Sequence, residues 1–281
     1  MLIYIFICIL AFICESCDSS LGMGYGTILT PMLLLIGYQP LEIVPLILLS
    51  EFITGTISAL MHHKIGNVNL TPGSRELKTG MILAACSIIS TITAANIALA
   101  VSKTFIKGYI SFLLIGIGLI TLFTVNKNYK FSWYKISTLG VIASFNKGIS
   151  GGGYGPVLTG GQMLSGLNSK SAVGITSFAE GLTCLIGFIT FALINNTVLD
   201  WKLGLSLLIG GICSIPVSVN IIKFIKERQL RTILSFAILL LGTVTFIITF
   251  QQTIYISSTA YVLTFLILVI PIIAYSVVKN K

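Results

Sequence analysis

The chain alternates between long apolar runs and short polar or glycine-rich breaks. Uninterrupted runs of about 20 apolar residues, the length that crosses a bilayer, occur at seven places. They are 42–61, 79–101, 105–125, 172–194, 203–222, 231–250 and 255–278. Two further segments, 2–36 and 134–166, are equally apolar but are interrupted by glycines. The pattern predicts an all-α polytopic membrane protein in which each interrupted segment forms a glycine-broken helix or a re-entrant hairpin.

The two interrupted segments are related in sequence. Gly22-Met-Gly-Tyr-Gly26 recurs as Gly151-Gly-Gly-Tyr-Gly155, and residues 22–54 align without a gap to residues 151–183 with eleven of thirty-three positions identical. Chance identity at this composition is roughly one position in ten, so the chain is a duplicated unit. The predicted organisation is a first transmembrane repeat over 1–125, a cytoplasmic linker over 126–133, a second transmembrane repeat over 134–250, and an additional C-terminal transmembrane helix over 251–281.

Composition and charge extend this prediction to topology. Of the 281 residues 55% are hydrophobic and 9% are charged, whereas a soluble domain carries about a quarter charged residues. If each interrupted segment enters and leaves on one side, thirteen basic residues share one membrane face, called the basic face below, and three lie on the other. The thirteen are Lys64, Arg75, Lys78, Lys127, Lys130, Lys135, Lys170, Lys223, Lys226, Arg228, Arg231, Lys279 and Lys281. The excess predicts that the basic face is cytoplasmic. The same threading places three crossings, an odd number, between the two hairpins, and so predicts that the two four-segment repeats are inverted relative to each other.

The same features limit partners and cofactors. We expect a multi-pass protein of the cell (inner) membrane whose basic loops meet anionic lipid headgroups rather than nucleic acid. The chain contains no G-x-x-x-x-G-K-[ST] motif for a nucleotide, and neither a cofactor nor a metal is predicted. The oligomeric state stays open, because small residues on several helices suit a monomer or a dimer.

The two glycine clusters are the first candidate for chemistry. Backbone that leaves helical geometry at membrane depth is tolerated only when it is packed in protein or lines a watery cavity. Each cluster precedes an apolar run, 27–36 or 156–165, that is predicted to form a half-helix. Its N-terminal N–H groups would favour a small anion. The predicted substrate-binding residues are Gly22, Gly24, Tyr25, Gly26, Thr30, Gly151, Gly152, Gly153, Tyr154, Gly155, Pro156 and Thr159. The alternative is that the glycines only permit tight helix packing.

Two acidic residues at matched positions of the repeats form the second candidate. Glu51 and Glu180 each lie within an apolar run, far from either end. A carboxylate at the bilayer centre is costly unless it is paired, hydrated or neutralised, and it usually marks an ion or proton pathway. We therefore predict proton or ion coupling for this pair. The alternative is a protonated glutamate that makes an interhelical hydrogen bond.

Three basic residues near these motifs have open or minor roles. Lys147 lies near the second glycine cluster and aligns with Asp18 of the first repeat. It is a candidate for attracting an anion, and the alternatives are pairing with Asp18 or Glu180, or extending to the membrane surface. His62 and His63 follow the first uninterrupted run and are predicted to be solvated at the membrane edge, so that no histidine lies inside a predicted span.

The duplicated motif resembles the sulfite exporter TauE/SafE family of membrane permeases over most of residues 5–250. The most specific part is Gly148-Ile-Ser-Gly-Gly-Gly-Tyr-Gly-Pro156, followed by Ala172-Val-Gly-Ile-Thr-Ser177. The first copy departs from the pattern, with Met23 inside the glycine cluster and a later proline, Pro31. The resemblance implies an inner-membrane permease of about eight helices for sulfite, sulfoacetate or other small anions. The resemblance does not imply the predicted roles of Glu51 and Glu180, which rest on their position within apolar runs and on the duplication.

Together these observations predict a secondary transporter for a small anion such as sulfite, an organosulfonate or an organic acid, with proton coupling as an option. A passive anion channel is an alternative, since half-helices also build selectivity sites in channels. An intramembrane enzyme is disfavoured by the lack of a histidine in any predicted span. A structural subunit would give no reason to duplicate a glycine break and an acidic residue.

Overall fold

The computed structural model describes residues 1–38, 40–98, 103–124, 126–127, 129–150, 154–194 and 199–250. This part of the chain is all-α. Its helices are α1 (Leu2–Leu21), α2 (Tyr25–Ile36), α3 (Pro40–Ile65), α4 (Arg75–Ala98), α5 (Lys103–Phe123), α6 (Trp133–Ser150), α7 (Tyr154–Leu164), α8 (Ser169–Ile194), α9 (Trp201–Phe224) and α10 (Glu227–Phe250). The helix predicted over 251–281 lies outside the described residues.

The helix order of the first half recurs in the second. A broken pair, α1–α2 or α6–α7, is followed by a helix of 26 residues, α3 or α8, and then by one of 24 residues, α4 or α9. The first break contains Gly22, the C-cap of α1, with a φ of 62°, and Gly24, with a φ of 79°. Glycine adopts this left-handed conformation without the steric penalty that a Cβ imposes, so the helix stops where the sequence predicts a break.

Both interrupted segments turn back on themselves and form helical hairpins. Tyr4, near the start of α1, packs in the same apolar cluster as Tyr38, just beyond the end of α2. In the second segment, Lys135 in the first turn of α6 donates from Nζ to the carbonyl oxygen of Leu164 at the end of α7, at 3.5 Å. The two ends of each hairpin therefore lie side by side, and the first glycine break is at the tip of the first hairpin.

The two halves interlock through their hairpins. Helix α1 packs on α9 of the other half, α6 packs on α4, and α3 packs against α8. The last pair approaches closely because Gly55 lies against α8, where an added Cβ would be 2.9 Å from the carbonyl oxygen of Ser177 and 3.3 Å from Cα of Gly181. Small residues allow such close packing between membrane helices. This packing brings both hairpin tips and both central glutamates together.

The lengths and surfaces of the helices are those of a multi-pass membrane protein. Within the described ranges, five segments are long and apolar enough to cross a bilayer: Leu2–Leu21, Glu42–Ile65, Ser169–Ile189, Trp201–Phe224 and Glu227–Ile247. Large apolar side chains cover the outside of the bundle, among them Phe112, Ile209 and Val217, which are 62%, 55% and 53% exposed. Such an apolar outer surface requires lipid rather than water as its solvent.

Candidate functional site

The first glycine break lies directly against the start of α7. A Cβ added to Gly155 would lie 2.6 Å from the carbonyl oxygen of Gly22 and 2.7 Å from the amide nitrogen of Gly24. One turn later, Thr159 donates from Oγ1 to the same carbonyl of Gly22 at 3.2 Å. The second break itself, Gly151, Gly152 and Gly153, lies outside the described residues. The described part of the second tip, which is the start of α7, therefore touches the tip of the first hairpin.

Beside this contact, a buried lysine is held by both predicted coupling residues. Nζ of Lys147 lies 2.8 Å from Oε1 of Glu180 and 3.5 Å from Oε2 of Glu51. The lysine side chain is 10% exposed and the two glutamates are 5% and 4% exposed. The same ammonium donates to Sγ of Cys184 at 3.2 Å, and this thiol donates to Oε2 of Glu51 at 3.1 Å. We call these four residues the Lys147 cluster; they join α3, α6 and α8.

The cluster decides between two of the alternatives that the sequence left open for Lys147, pairing and extension to the membrane surface. Its ammonium pairs with carboxylates inside the bundle and does not extend to the membrane surface. Hydrogen bonds between charged groups are about twice as strong as neutral ones, and a buried charge is tolerated only when it is paired. A lysine beside two carboxylates at the hairpin tips is an arrangement in which an anion and a proton can compete for the same partners.

The N-terminus of half-helix α2 is filled by the chain's own carboxylates. The amide of Gly24 donates to Oδ1 of Asp18 at 2.7 Å, and the amide of Gly26 donates to Oε1 of Glu51 at 2.7 Å. Acidic groups are favourable at this position because a helix N-terminus carries partial positive charge. The sequence led us to expect amides that face a bound anion, whereas here they already hold two internal anions. Glu51 therefore connects the end of α2 to Lys147.

The two motif tyrosines have different surroundings. Tyr154 is 1% exposed, and its hydroxyl shares hydrogen bonds at 3.2 Å with Ser87 Oγ and with Thr183 Oγ1. Nζ of Lys147 lies 5.2 Å from the centre of the Tyr154 ring, which places this ring at the Lys147 cluster. Tyr25 is fully buried, and its hydroxyl donates instead to the carbonyl oxygen of Leu207 on α9, at 3.4 Å.

The remaining predicted residues lie on the two half-helices. Thr159 shares a hydrogen bond with Oγ1 of Thr176 at 3.1 Å and ties α7 to α8. Pro156 is the third residue of α7 and is buried, at a position where a missing N–H costs no helical hydrogen bond. Thr30 is partly exposed on α2 and takes no part in the hydrogen bonds described above. Of the predicted residues, Tyr154, Gly155 and Thr159 therefore lie at the first break or beside Lys147, whereas Thr30 does not contribute to these contacts.

Comparison with known proteins places this site in a family. Residues 7–245, which include both breaks and the Lys147 cluster, match the family model described as Sulfite exporter TauE/SafE. The chain belongs to the sulfite exporter TauE/SafE family. It is similar to the probable membrane transporter protein YtnM of Bacillus subtilis (strain 168), with 28% identity over 244 residues that cover 82% of this chain and 78% of the relative. No solved structure matches the chain. This member of the TauE/SafE family is accordingly a membrane transporter.

Two acidic residues of this TauE/SafE protein were not singled out as site residues by the sequence. Asp18 is 7% exposed and caps α2, and Glu15 is 1% exposed and accepts a hydrogen bond from Oγ of Ser19. They are three positions apart, so they lie on one face of α1. Glu51 was singled out because it is an acidic residue within an apolar run. Glu15 and Asp18 also lie within an apolar run, so the sequence could have identified them in the same way.

The prediction that His62 is solvated is wrong. Helix α3 continues to Ile65, and His62 is completely buried within it. Its Nε2 lies 2.9 Å from the carbonyl oxygen of Ser19, and its Nδ1 lies 3.1 Å from Nδ2 of Asn67. Because a carbonyl can only accept, Nε2 carries the proton and Nδ1 accepts from Asn67. A histidine therefore does lie inside a membrane-spanning helix, and the assignment as a transporter now rests on the family and the relative.

Proposed function

We propose that the protein is a secondary transporter that moves a small anion, such as sulfite, an organosulfonate or an organic acid, together with protons. The observation that carries this proposal is the buried Lys147, held by Glu180 and Glu51 where the two hairpin tips touch. The family description, sulfite exporter, supports an oxyanion as substrate. A buried lysine ammonium such as that of Lys147 is the kind of group that would bind an oxyanion inside the bundle.

The coupling follows from competition for Lys147. An anion that binds this ammonium must replace a carboxylate, because Glu180 and Glu51 occupy it in the arrangement described above. Protonation of Glu180 removes the charge that holds the lysine and so frees it for the substrate. Adding net charge to a desolvated centre is unfavourable, whereas an anion and a proton that arrive together leave the net charge unchanged. Anion uptake without a proton is therefore disfavoured.

We also propose that the hairpins enter from opposite faces, as inverted repeats do. Tyr4 at the open end of the first hairpin donates to Oδ2 of Asp200, just before α9, at 3.3 Å. At the other end of α9, Lys170, which follows the second hairpin, donates to the carbonyl oxygen of Lys223 at 2.8 Å. A centre between inverted repeats can open to either face in turn. The burial of Tyr25 and Tyr154 at the tips favours such a carrier over a permanently open channel.

The test is uptake of a panel of anions into proteoliposomes, with and without an inward proton gradient. The panel contains sulfite, organosulfonates and small carboxylates, and the proteins are wild type, Lys147→Gln and Glu180→Gln. Lys202→Gln is the matched control, because Lys202 is an exposed lysine at the start of α9. A charged hydrogen bond contributes about 1.5–3 kcal/mol, so loss of Lys147 should weaken anion affinity by at least about tenfold.

We expect saturable uptake by wild type that the proton gradient increases. Uptake by Glu180→Gln should no longer respond to the gradient, and Lys202→Gln should match wild type. Unchanged proton dependence in Glu180→Gln would show that this residue does not carry the proton. Wild-type affinity in Lys147→Gln would remove the anion role of the lysine, and non-saturating flux would identify a channel.

A further inference from the structure

A separate cavity lies where the second hairpin meets the linker and α10. Its volume is about 460 Å³, within the range of about 300–1,000 Å³ typical of small-molecule pockets. It is lined by Asn126, Tyr129, Met163, Gly166, Leu167, Asn168, Glu227, Arg228 and Arg231. Met163 lies eight residues beyond Gly155 on α7, which is roughly 12 Å of helix. The cavity is therefore distinct from the Lys147 cluster.

A buried arginine supplies charge to the wall of this cavity. Arg231 is 7% exposed. Its Nη1 donates to the carbonyl oxygen of Lys127 at 3.0 Å, and its Nη2 donates to that of Met163 at 3.3 Å. Its Nε has no hydrogen-bond partner among the described residues. Backbone carbonyls orient the guanidinium but do not cancel its charge, so Arg231 retains a full positive charge toward an incoming anion.

The other charged groups of the lining leave it net positive. Arg228 is exposed at the first turn of α10, where the helix N-terminus adds partial positive charge. Nζ of Lys135, which does not itself line the cavity, lies 5.4 Å from the centre of the ring of Tyr129, which does. Glu227 is the carboxylate of the lining, and its Oε1 already accepts from the amide and from Oγ of Ser169 at 2.7 and 2.8 Å. The lining thus contains two guanidinium groups and one carboxylate, so its net charge is positive.

We propose that this cavity binds a small oxyanion of the phosphate or sulfate type, held by Arg228 and Arg231. Guanidinium groups match the oxygens of such an anion, because their N–H donors form a planar fork. The same phosphate chemistry is presented by free phosphate and by the headgroups of anionic lipids. A bound oxyanion would connect the linker, the end of α7 and the start of α10. The proposal does not depend on the identity of the transported anion.

The experiment measures thermal unfolding of the purified full-length protein at constant ionic strength, with and without inorganic phosphate. A second arm compares nanodiscs of phosphatidylglycerol with nanodiscs of phosphatidylcholine. The variants are Arg228→Gln, Arg231→Lys and Lys147→Gln. Lys226→Gln is the matched control, since Lys226 is an exposed basic neighbour that does not line the cavity. Arg228→Gln is informative even if Arg231→Lys fails to fold, because the exposed Arg228 side chain forms no hydrogen bond with the part of the chain that the structure describes.

We expect phosphate, phosphatidylglycerol or both to raise the unfolding midpoint of wild type. The apparent affinity should be several-fold weaker in Arg228→Gln and unchanged in Lys226→Gln and Lys147→Gln. A response to phosphate alone identifies a free anion as the ligand, and a response to phosphatidylglycerol identifies a headgroup. No response in either arm, an equal response in Arg228→Gln, or a response lost only in Lys147→Gln would overturn the proposal.

Discussion

A single methyl group at position 155 should force the two hairpin tips apart. The Cβ of Gly155→Ala would lie 2.6 Å from the carbonyl oxygen of Gly22, 2.7 Å from the amide nitrogen of Gly24 and 3.0 Å from the carbonyl carbon of Met23. Contacts between such atoms are normally about 3.5 Å or longer, and backbone atoms cannot rotate away. Overpacking of this kind costs about 1–3 kcal/mol, while alanine recovers at most about 1 kcal/mol of helix propensity. With the full recovery, these two terms leave a net loss of up to about 2 kcal/mol.

The matched control is Gly116→Ala on α5. Gly116 is also helical, but no atom of the described residues beyond its own helix backbone lies within 4 Å of an added Cβ, so this change tests mainly helix propensity. Thermal unfolding in detergent should show a lower midpoint for Gly155→Ala and an equal or higher midpoint for Gly116→Ala. Anion uptake into proteoliposomes should fall for Gly155→Ala only. If the two variants are equally stable and equally active, the tips of the hairpins do not touch as described.

Three further predictions test the surroundings of the tips. Lys147→Met should lower the free energy of unfolding in denaturant by about 3–5 kcal/mol, because it leaves buried carboxylates unpaired. The double variant Lys147→Met with Glu180→Gln should recover part of that loss. If it recovers none, the ion pair between the two residues is not supported. Asp18→Ala should lower the unfolding midpoint by the loss of a cap worth about 1 kcal/mol, whereas Asp18→Asn, which keeps an acceptor for Gly24, should lower it less. In a cysteine-free background, Lys226→Cys should resist an impermeant thiol reagent added outside cells, and labelling from outside would reverse the proposed orientation.

The positions of the helices were largely predictable from the sequence. Hydropathy is a local property, and within the described residues each uninterrupted run before residue 251 coincides with one helix, which is α3, α4, α5, α8, α9 or α10. The end of α1 was equally predictable, since Gly22 and Gly24 supply the left-handed backbone of the turn. The self-alignment also indicated that Glu51 and Glu180 hold matched positions. These features depend on residues that are close together in the chain.

The partners of each side chain were not predictable, because they come from distant segments. Cys184 joins the Lys147 cluster only because α8 packs against α3, and its own position within an apolar run does not indicate that contact. His62 was misplaced because the apolar run ends at residue 61, whereas α3 continues one further turn into a pocket made by Ser19 and Asn67. The capping of Gly24 by Asp18 was missed although the signal was local, since aspartate is a preferred partner for helix N-terminal amides.

The most direct test of coupled proton and anion transport through Lys147 is to record both fluxes in the same proteoliposomes. Labelled sulfite, or the best substrate from the panel, reports the anion, and an internal pH-sensitive dye reports the protons. The account predicts that protons enter with the anion in a fixed ratio, and that Glu180→Gln abolishes this ratio. Anion entry without any proton movement in the wild-type protein would contradict it.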